Sequence, residues 1–162
     1  MKPDNSLPTR FTHGALGHFA VLIIGMSSAH AVVPDDPRCE YLSDPLGVDV
    51  PVPRLSWKLA DADAVRGQKQ SAWQIRAASR PDHLVDGRAD LWDSGVVQSS
   101  QSVLVPYGGA PLASNQSVFW QVRVHDKDGK PSPWSNPARF TMGLLNADDW
   151  QGPWIHHPDA PV

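Results

Sequence analysis

The stretch Val118-Phe119-Trp120-Gln121-Val122-Arg123-Val124-His125 alternates apolar and polar side chains. Trp120, Val122 and Val124 fall on one side of an extended chain and Gln121, Arg123 and His125 on the other, the period-two pattern of a half-buried β-strand. Asp126-Lys127-Asp128-Gly129-Lys130 follows, and its Asp128-Gly129 pair is a hairpin signal because both residues accept turn backbone. A proline-rich stretch, 131–137, then leads into a last strand, Ala138-Arg139-Phe140-Thr141-Met142. Upstream, Leu55-x-Trp57-x-Leu59 and Trp73-x-Ile75-x-Ala77 repeat the alternation. Residues 91–97 read as a strand bent at Gly95, and 102–106 as a strand stopped by Pro106 and Gly108-Gly109. Between them, 79–87 has the Ser start and Gly end of a single helical turn. Residues 61–67 form a loop, and 32–53 carry five prolines with an Asp44-Pro45-Leu46-Gly47 turn, an extended lead-in. Six or seven short strands at turn-limited spacing, with no long helical period, predict an all-β, antiparallel β-sandwich.

Composition agrees and sets limits. The 162 residues suffice for one domain or slightly more, and 41% hydrophobic against 19% charged residues allows a packed core. A net charge of −3 argues against nucleic acid as a partner. One cysteine, Cys39, excludes an internal disulfide framework and cysteine-rich zinc sites. Glu40 is the only glutamate among 17 acidic residues, and a bias to aspartate favours turns over helices. The start of the chain reads as an address. Basic Lys2 and Arg10 precede the apolar run Phe19-Ala20-Val21-Leu22-Ile23-Ile24-Gly25-Met26, and Ala29-x-Ala31 fits the small-residue cleavage rule of a signal peptide. The run is far shorter than the ~20 residues of a membrane-spanning helix, so a secreted or periplasmic location is expected.

Two resemblances rest on these residues. The strand 119–125 with its Asp126–Gly129 turn, then Pro133-Trp134-Ser135 and Phe140-Thr141, resembles the last two strands of a fibronectin type III domain, an immunoglobulin-like sandwich. Trp120 stands where that module commonly has a tyrosine. A longer ordered set is similar to the N-terminal region of bacterial α-L-rhamnosidases. It comprises Cys39-Glu40-Tyr41-Leu42, Pro45-Leu46-Gly47-Val48-Asp49, Pro53-Arg54-Leu55-Ser56-Trp57, Arg66-Gly67-Gln68-Lys69-Gln70, Ala89-Asp90-Leu91-Trp92-Asp93-Ser94-Gly95, Ser99-x-Gln101-Ser102 and Trp150-x-x-x-Trp154-Ile155. The resemblance implies a secreted glycoside hydrolase as parent. It also implies that the catalytic helical barrel lies outside this chain, with the other domains of the same polypeptide as partners.

Glycoside hydrolysis usually needs two carboxyl groups facing each other across the sugar, and no position here inherits those roles; no catalytic residue is assigned. Glu40 reads as a turn or edge carboxylate, Asp126-x-Asp128-Gly129 as a hairpin lacking the further ligands of a calcium loop, and Asp148-Asp149 as a cap or solvated pair. His156-His157 has no third ligand nearby, Ser94-Gly95 lacks a nucleophile elbow, and Cys39 reads as a buried thiol, so neither metal nor cofactor is expected. Asn115-Gln116-Ser117 matches a glycosylation sequon. The tryptophans are the functional candidates, since aromatic faces stack on sugar rings and anchor interfaces. Trp57, Trp73 and Trp120 read as core. Trp134 reads as stacking on arginines of a neighbouring strand, with sugar binding as its alternative. Trp92, Trp150 and Trp154 are candidates for a partner-domain interface or a site for rhamnose-containing glycans. The expected organisation is a signal peptide over 1–31, a lead-in over 32–49, the fibronectin type III-like sandwich over 50–143, and a linker or the start of a next domain over 144–162. The expected role is a non-catalytic structural or docking module, with a carbohydrate-binding module or a stand-alone extracellular interaction protein as alternatives. Export from a bacterial host followed by N-terminal sequencing is expected to yield Val32 as the first residue; an exported chain still beginning at Met1 overturns the signal reading.

Overall fold

The computed structural model describes residues 32–60 and 67–153. The segment 1–31, where a signal peptide is expected, most of the 61–67 loop, Trp154 and His156-His157 lie outside the described residues. Among the described residues, seven strands form two antiparallel sheets. The first contains β1 (Val33–Cys39), β2 (Arg54–Ala60) and β5 (Val105–Pro106), in the order β1-β2-β5. The second contains β3 (Ala72–Ala78), β4 (Trp92–Asp93), β6 (Ser117–His125) and β7 (Ala138–Thr141), in the order β4-β3-β6-β7. The all-β antiparallel expectation holds, and the architecture is immunoglobulin-like.

The β3–β6 pair sets the register of the second sheet. Trp73 lies opposite Val124, Ile75 opposite Val122 and Ala77 opposite Trp120, so the inward residues of both strands coincide. Leu55 and Trp57 from β2, Val105 from β5 and Phe140 from β7 complete one core, in which Leu55, Ile75, Trp120, Val122 and Phe140 are fully buried. Trp57, Trp73 and Trp120 are therefore core residues, as their alternation predicts.

Residues 32–49 depart from the lead-in reading, because they supply β1. Its Pro34 and Pro37 read as linker in sequence, yet β1 is an outer strand paired on one side only, where a missing N–H leaves no ladder bond unmade. A register shift between Asp35 and Arg38, with Asp36 at φ 46°, absorbs the irregularity. After β1 the chain crosses to the other sheet. Thr141 N–H donates to the Pro45 carbonyl (3.0 Å), Val48 N–H to Thr141 (2.9 Å) and Gly143 N–H to Val48 (2.8 Å), so 45–48 runs parallel to the end of β7 and ties the two sheets together. Gly143 fits closely there: a Cβ would sit 3.1 Å from the Gly47 carbonyl oxygen, so a larger residue needs the 47–48 backbone to give by a few tenths of an ångström.

Other expected strands are shorter than their patterns. Leu104 has φ 54°, which confines the 102–106 strand to Val105–Pro106, while the Ser56 hydroxyl accepts the Leu104 N–H (2.9 Å). Gly95 (φ 58°) bends 91–97 so that only Trp92–Asp93 pairs continuously, and Val97 rejoins opposite Trp73. The helical turn is a 3-10 turn at Pro81–His83; Ser79 does not cap it, since its N–H and hydroxyl both go to the Asp90 carboxylate (3.0 and 2.6 Å).

At the end of β1, Cys39 and Leu42 exchange backbone hydrogen bonds (3.0 and 2.9 Å) around Glu40 (φ 48°) and Tyr41 (φ 65°). Two successive left-handed residues without glycine cost of order 1–3 kcal/mol each. The turn is held from outside: the Glu40 carboxylate accepts the Arg54 N–H (2.6 Å) and both Nε and Nη2 of its guanidinium, and Arg38 donates to the Tyr41 carbonyl (3.1 Å). The Arg54 guanidinium holds the Glu40 carboxyl below its ordinary value of 4.5. A depressed carboxylate stabilises fully above its unfolded pKa and loses that contribution as pH falls through its folded one. Urea unfolding midpoints of the wild type are thus expected to drop as pH falls below about 4.5, and the gap between wild type and Glu40→Gln to close over the same range; a gap independent of pH contradicts the pairing.

Candidate functional site

The outer face of β3 and β6 carries an ordered polar array. Gln74 and Arg76 point away from the core, as does Arg123, and all seven residues of β3 are nevertheless buried. Their cover is the 131–137 segment. Ser132 and Ser135, three residues apart, each donate a backbone N–H to β6, at Val124 and Val122 (both 2.8 Å), and each accepts the N–H of the same residue on its hydroxyl (3.1 and 3.2 Å). Hydroxyl oxygens here replace the carbonyls of a neighbouring strand, in a stretch where prolines 131, 133 and 137 preclude a regular one.

Between the two serines, Trp134 is laid over the sheet. The Arg76 guanidinium carbon lies 4.0 Å from its ring centroid and that of Arg123 4.7 Å, the arginine stacking expected from sequence. Both guanidiniums are fixed in their own planes: Arg123 donates to Gln74 Oε1 (2.7 Å), and Arg76 to Gln121 Oε1 (3.0 Å) and to Asp86 (2.9 Å). Burial pulls the Arg76 pKa below the ordinary value of a guanidinium, opposed by the Asp86 carboxylate, and the group stays a cation. Nothing local in the sequence marks Gln74, Gln121 and Asp86 as members of this array; of its parts, only the Trp134–arginine stack is expected from sequence.

The remaining tryptophan candidates differ in setting. Trp92 packs edge-on against Trp73 (6.5 Å between centroids) and Tyr107 (5.2 Å), and Gly108 lies against its ring, where a Cβ would come within 3.1 Å. Half-buried in this way, Trp92 belongs to an aromatic chain that continues to Trp57. Trp150 is 49% exposed and lines an open depression of about 460 Å³ with Leu144, Leu145, Asn146 and Ala147. That ledge is built. The Ser114 hydroxyl accepts the Leu145 N–H (2.8 Å) and donates to Asp149, whose carboxylate also accepts the Asn146 N–H (3.0 Å) to cap the 3-10 turn Ala147–Asp149. The structure thus does not bring the three described candidates into one site: Trp92, Trp134 and Trp150 occupy separate environments, and Trp154 lies outside the described residues.

The other singled-out residues have structural occupations. The Asp126 carboxylate accepts the N–H groups of Asp128 and Lys130 (both 2.9 Å) and Gly129 has φ 78°, which makes the hairpin turn expected there. Cys39 is a buried free thiol whose pKa burial pushes up to about 12, so it is not poised for nucleophilic work. Among the described residues no group of three or more His, Cys, Asp or Glu side chains could hold a metal ion, and no helix is long and apolar enough to cross a membrane. Truncating Trp134 uncovers two guanidiniums, so Trp134→Ala is expected to lower unfolding free energy by roughly 1–3 kcal/mol. Urea unfolding checks it, and Arg76→Lys is expected to be destabilising as well, because an ammonium cannot reproduce the flat stack.

Comparison with known proteins accords with this geometry. Residues 34–146 match the family described as Rha78A-like, N-terminal immunoglobulin domain. Over 126 residues the chain is 48% identical to an α-L-rhamnosidase of Streptomyces avermitilis, covering 78% of this chain and 12% of that protein. An α-L-rhamnosidase of Formosa agariphila is 46% identical over 119 residues, covering 74% and 12%. Among solved structures, the Streptomyces avermitilis α-L-rhamnosidase complexed with L-rhamnose superimposes with TM-score 0.73 at 46% identity, covering 79% of this chain and 12% of that one. The α-L-rhamnosidase from Dictyoglumus thermophilum gives 0.72 at 36% identity, covering 78% and 14%. The chain therefore spans about an eighth of the length of the relatives it matches, and it belongs to the Rha78A-like N-terminal immunoglobulin domain family.

Proposed function

We propose that this chain is the non-catalytic N-terminal structural and docking module of a secreted α-L-rhamnosidase-like glycoside hydrolase. The observation that carries the reading is the proportion of the match: it takes in 78% of this chain but only 12% of a relative named for rhamnosidase activity. Chemistry supports it. A glycosidase needs a carboxylic acid and a carboxylate positioned across a sugar-sized gap, one of them with a raised pKa. The only glutamate, Glu40, is instead committed to Arg54 and held ionised. The described aspartates whose pKa is displaced, Asp36, Asp82, Asp90, Asp126 and Asp149, are all lowered, the opposite of a general acid.

The three-plus-four strand arrangement supports the fibronectin type III variety of the fold. Export after cleavage behind Ala31 belongs to the same proposal, since the hydrolysis of external glycosides takes place outside the cytoplasm. The parent polypeptide would release terminal α-L-rhamnose from glycosides. Purified chain is expected to release no nitrophenol from an aryl α-L-rhamnoside above a buffer blank, whereas the complete polypeptide containing it does. Turnover by the chain alone overturns the non-catalytic reading.

A further inference from the structure

The two ends of the sandwich differ in a way the module reading leaves unexplained. Register fixes which segments meet at each end: Cys39 pairs with Leu55, Arg54 with Pro106, Ser117 with Thr141, and Val48 with Met142. One end therefore gathers the 39–42 turn, the 45–53 connection and the 142–150 ledge. It carries Tyr41, Leu42, Leu46, Val52, Leu144 and Trp150, all exposed, with Leu46 as much as 74% exposed. Among the described residues the opposite end carries the Asp126–Lys130 turn, whose surface residues are charged or glycine, and only Leu59 and Val96 as exposed large apolar side chains towards it.

From this asymmetry we propose that the apolar end is the docking face for another domain of the same polypeptide, and that Tyr41 and Leu42 are its preformed anchors. The inference rests on the docking-module reading and names the surface. Tyr41 and Leu42 are 57% and 59% exposed, yet the turn presenting them is rigid, fixed by the Cys39–Leu42 bond pair, by Arg38 on the Tyr41 carbonyl and by Glu40 on Arg54. An exposed aromatic and an aliphatic side chain on backbone already ordered lose little freedom on association, the property of interface anchors. Beside the two anchors Glu40 and Arg54 neutralise each other, whereas Asp44, Asp49 and Asp148 are exposed elsewhere on this end, so the anchors themselves meet an apolar surface and the acidic groups fall at its rim.

The choice of occupant follows from the chain path and from the relatives. The ledge that carries Trp150 is also where the described chain leaves the sandwich, so a domain joined behind it is held against this end at an effective concentration on the order of millimolar. The relatives are long enough to contain such domains, since the match occupies 12% of them.

Hydroxyl-radical footprinting read by mass spectrometry tests the assignment on two samples, the 162-residue chain and the complete polypeptide its gene encodes. Tyr41, Leu42 and Trp150 are expected to be labelled heavily in the chain and to lose most of that labelling in the polypeptide, while the 126–130 turn is labelled equally in both. Y41S/L42S in the polypeptide is expected to restore labelling at Trp150, and in the chain to leave the unfolding midpoint close to wild type; L46S provides a second variant independent of the strained turn. Equal labelling of Tyr41 and Trp150 in both samples overturns the inference, and so does protection in the chain that grows with its concentration, which marks a second copy as occupant. Protection confined to another face sinks this assignment and leaves the module reading standing. Absence of protection anywhere, or a gene ending at Val162, removes both.

Discussion

The structure depends on a strand covered on both faces. β3 is fully buried along its length, with Trp73, Ile75 and Ala77 packed into the core and Gln74 and Arg76 on the outside. Burying an arginine is tolerated only where its hydrogen bonds and charge are answered. Here Gln121 and Asp86 answer the Arg76 donors in its own plane and Trp134 answers the charge from above. The 131–137 segment therefore cannot be a passive connection. Its position is dictated by the serines, which complete the β6 edge, and by the tryptophan, which completes β3. Removing that cover exposes polar groups arranged to meet it, and the second sheet loses the lid that keeps its middle strands dry.

How much of this can be read in sequence depends on how local each cause is. β2, β3 and β6 are legible because alternation is a property of the strand itself, and the Asp128-Gly129 turn because the backbone demand sits on the residues that meet it. β1 is not legible, because whether Pro34 and Pro37 are permitted in a strand depends on whether it lies at a sheet edge, a fact of topology. β5 looks longer than it is, since nothing local announces the left-handed Leu104. The stacking of Trp134 on arginine was visible in outline, but its partners Gln74, Gln121 and Asp86 come from three separate segments. No single-segment pattern brings them together.

The tryptophans divide by the same logic. An alternation places Trp57, Trp73 and Trp120 inside, and they are inside. Trp120 occupies the position where the resembling module commonly carries tyrosine, and among the described residues its indole N–H, like that of Trp73, has no acceptor. An unanswered buried donor costs about 1–3 kcal/mol. In its place the site gains the apolar contact area of a large ring at the centre of the core, on the strand that pairs with both β3 and β7. Tryptophan at this position serves packing at the expense of hydrogen bonding.

The use of Glu40 follows a similar trade. Its carboxylate holds a turn that glycine or asparagine would form with less strain. A glycine there would release the strain but would let the turn move, and Tyr41 and Leu42 would no longer be held out from the surface in one geometry. Strain kept by an external brace, with exposed apolar side chains at its tip, trades stability of the isolated domain for order at its surface. That trade is unfavourable for a self-contained sandwich and favourable for a module that completes its buried area against a neighbour. The same end carries the ledge of 144–150, ordered by Ser114 and Asp149 rather than by any strand. Both devices spend side-chain hydrogen bonds on rigidity in places where the core requires none. They lie together because the crossing of 45–48 onto β7 brings the turn and the ledge to one end of the fold.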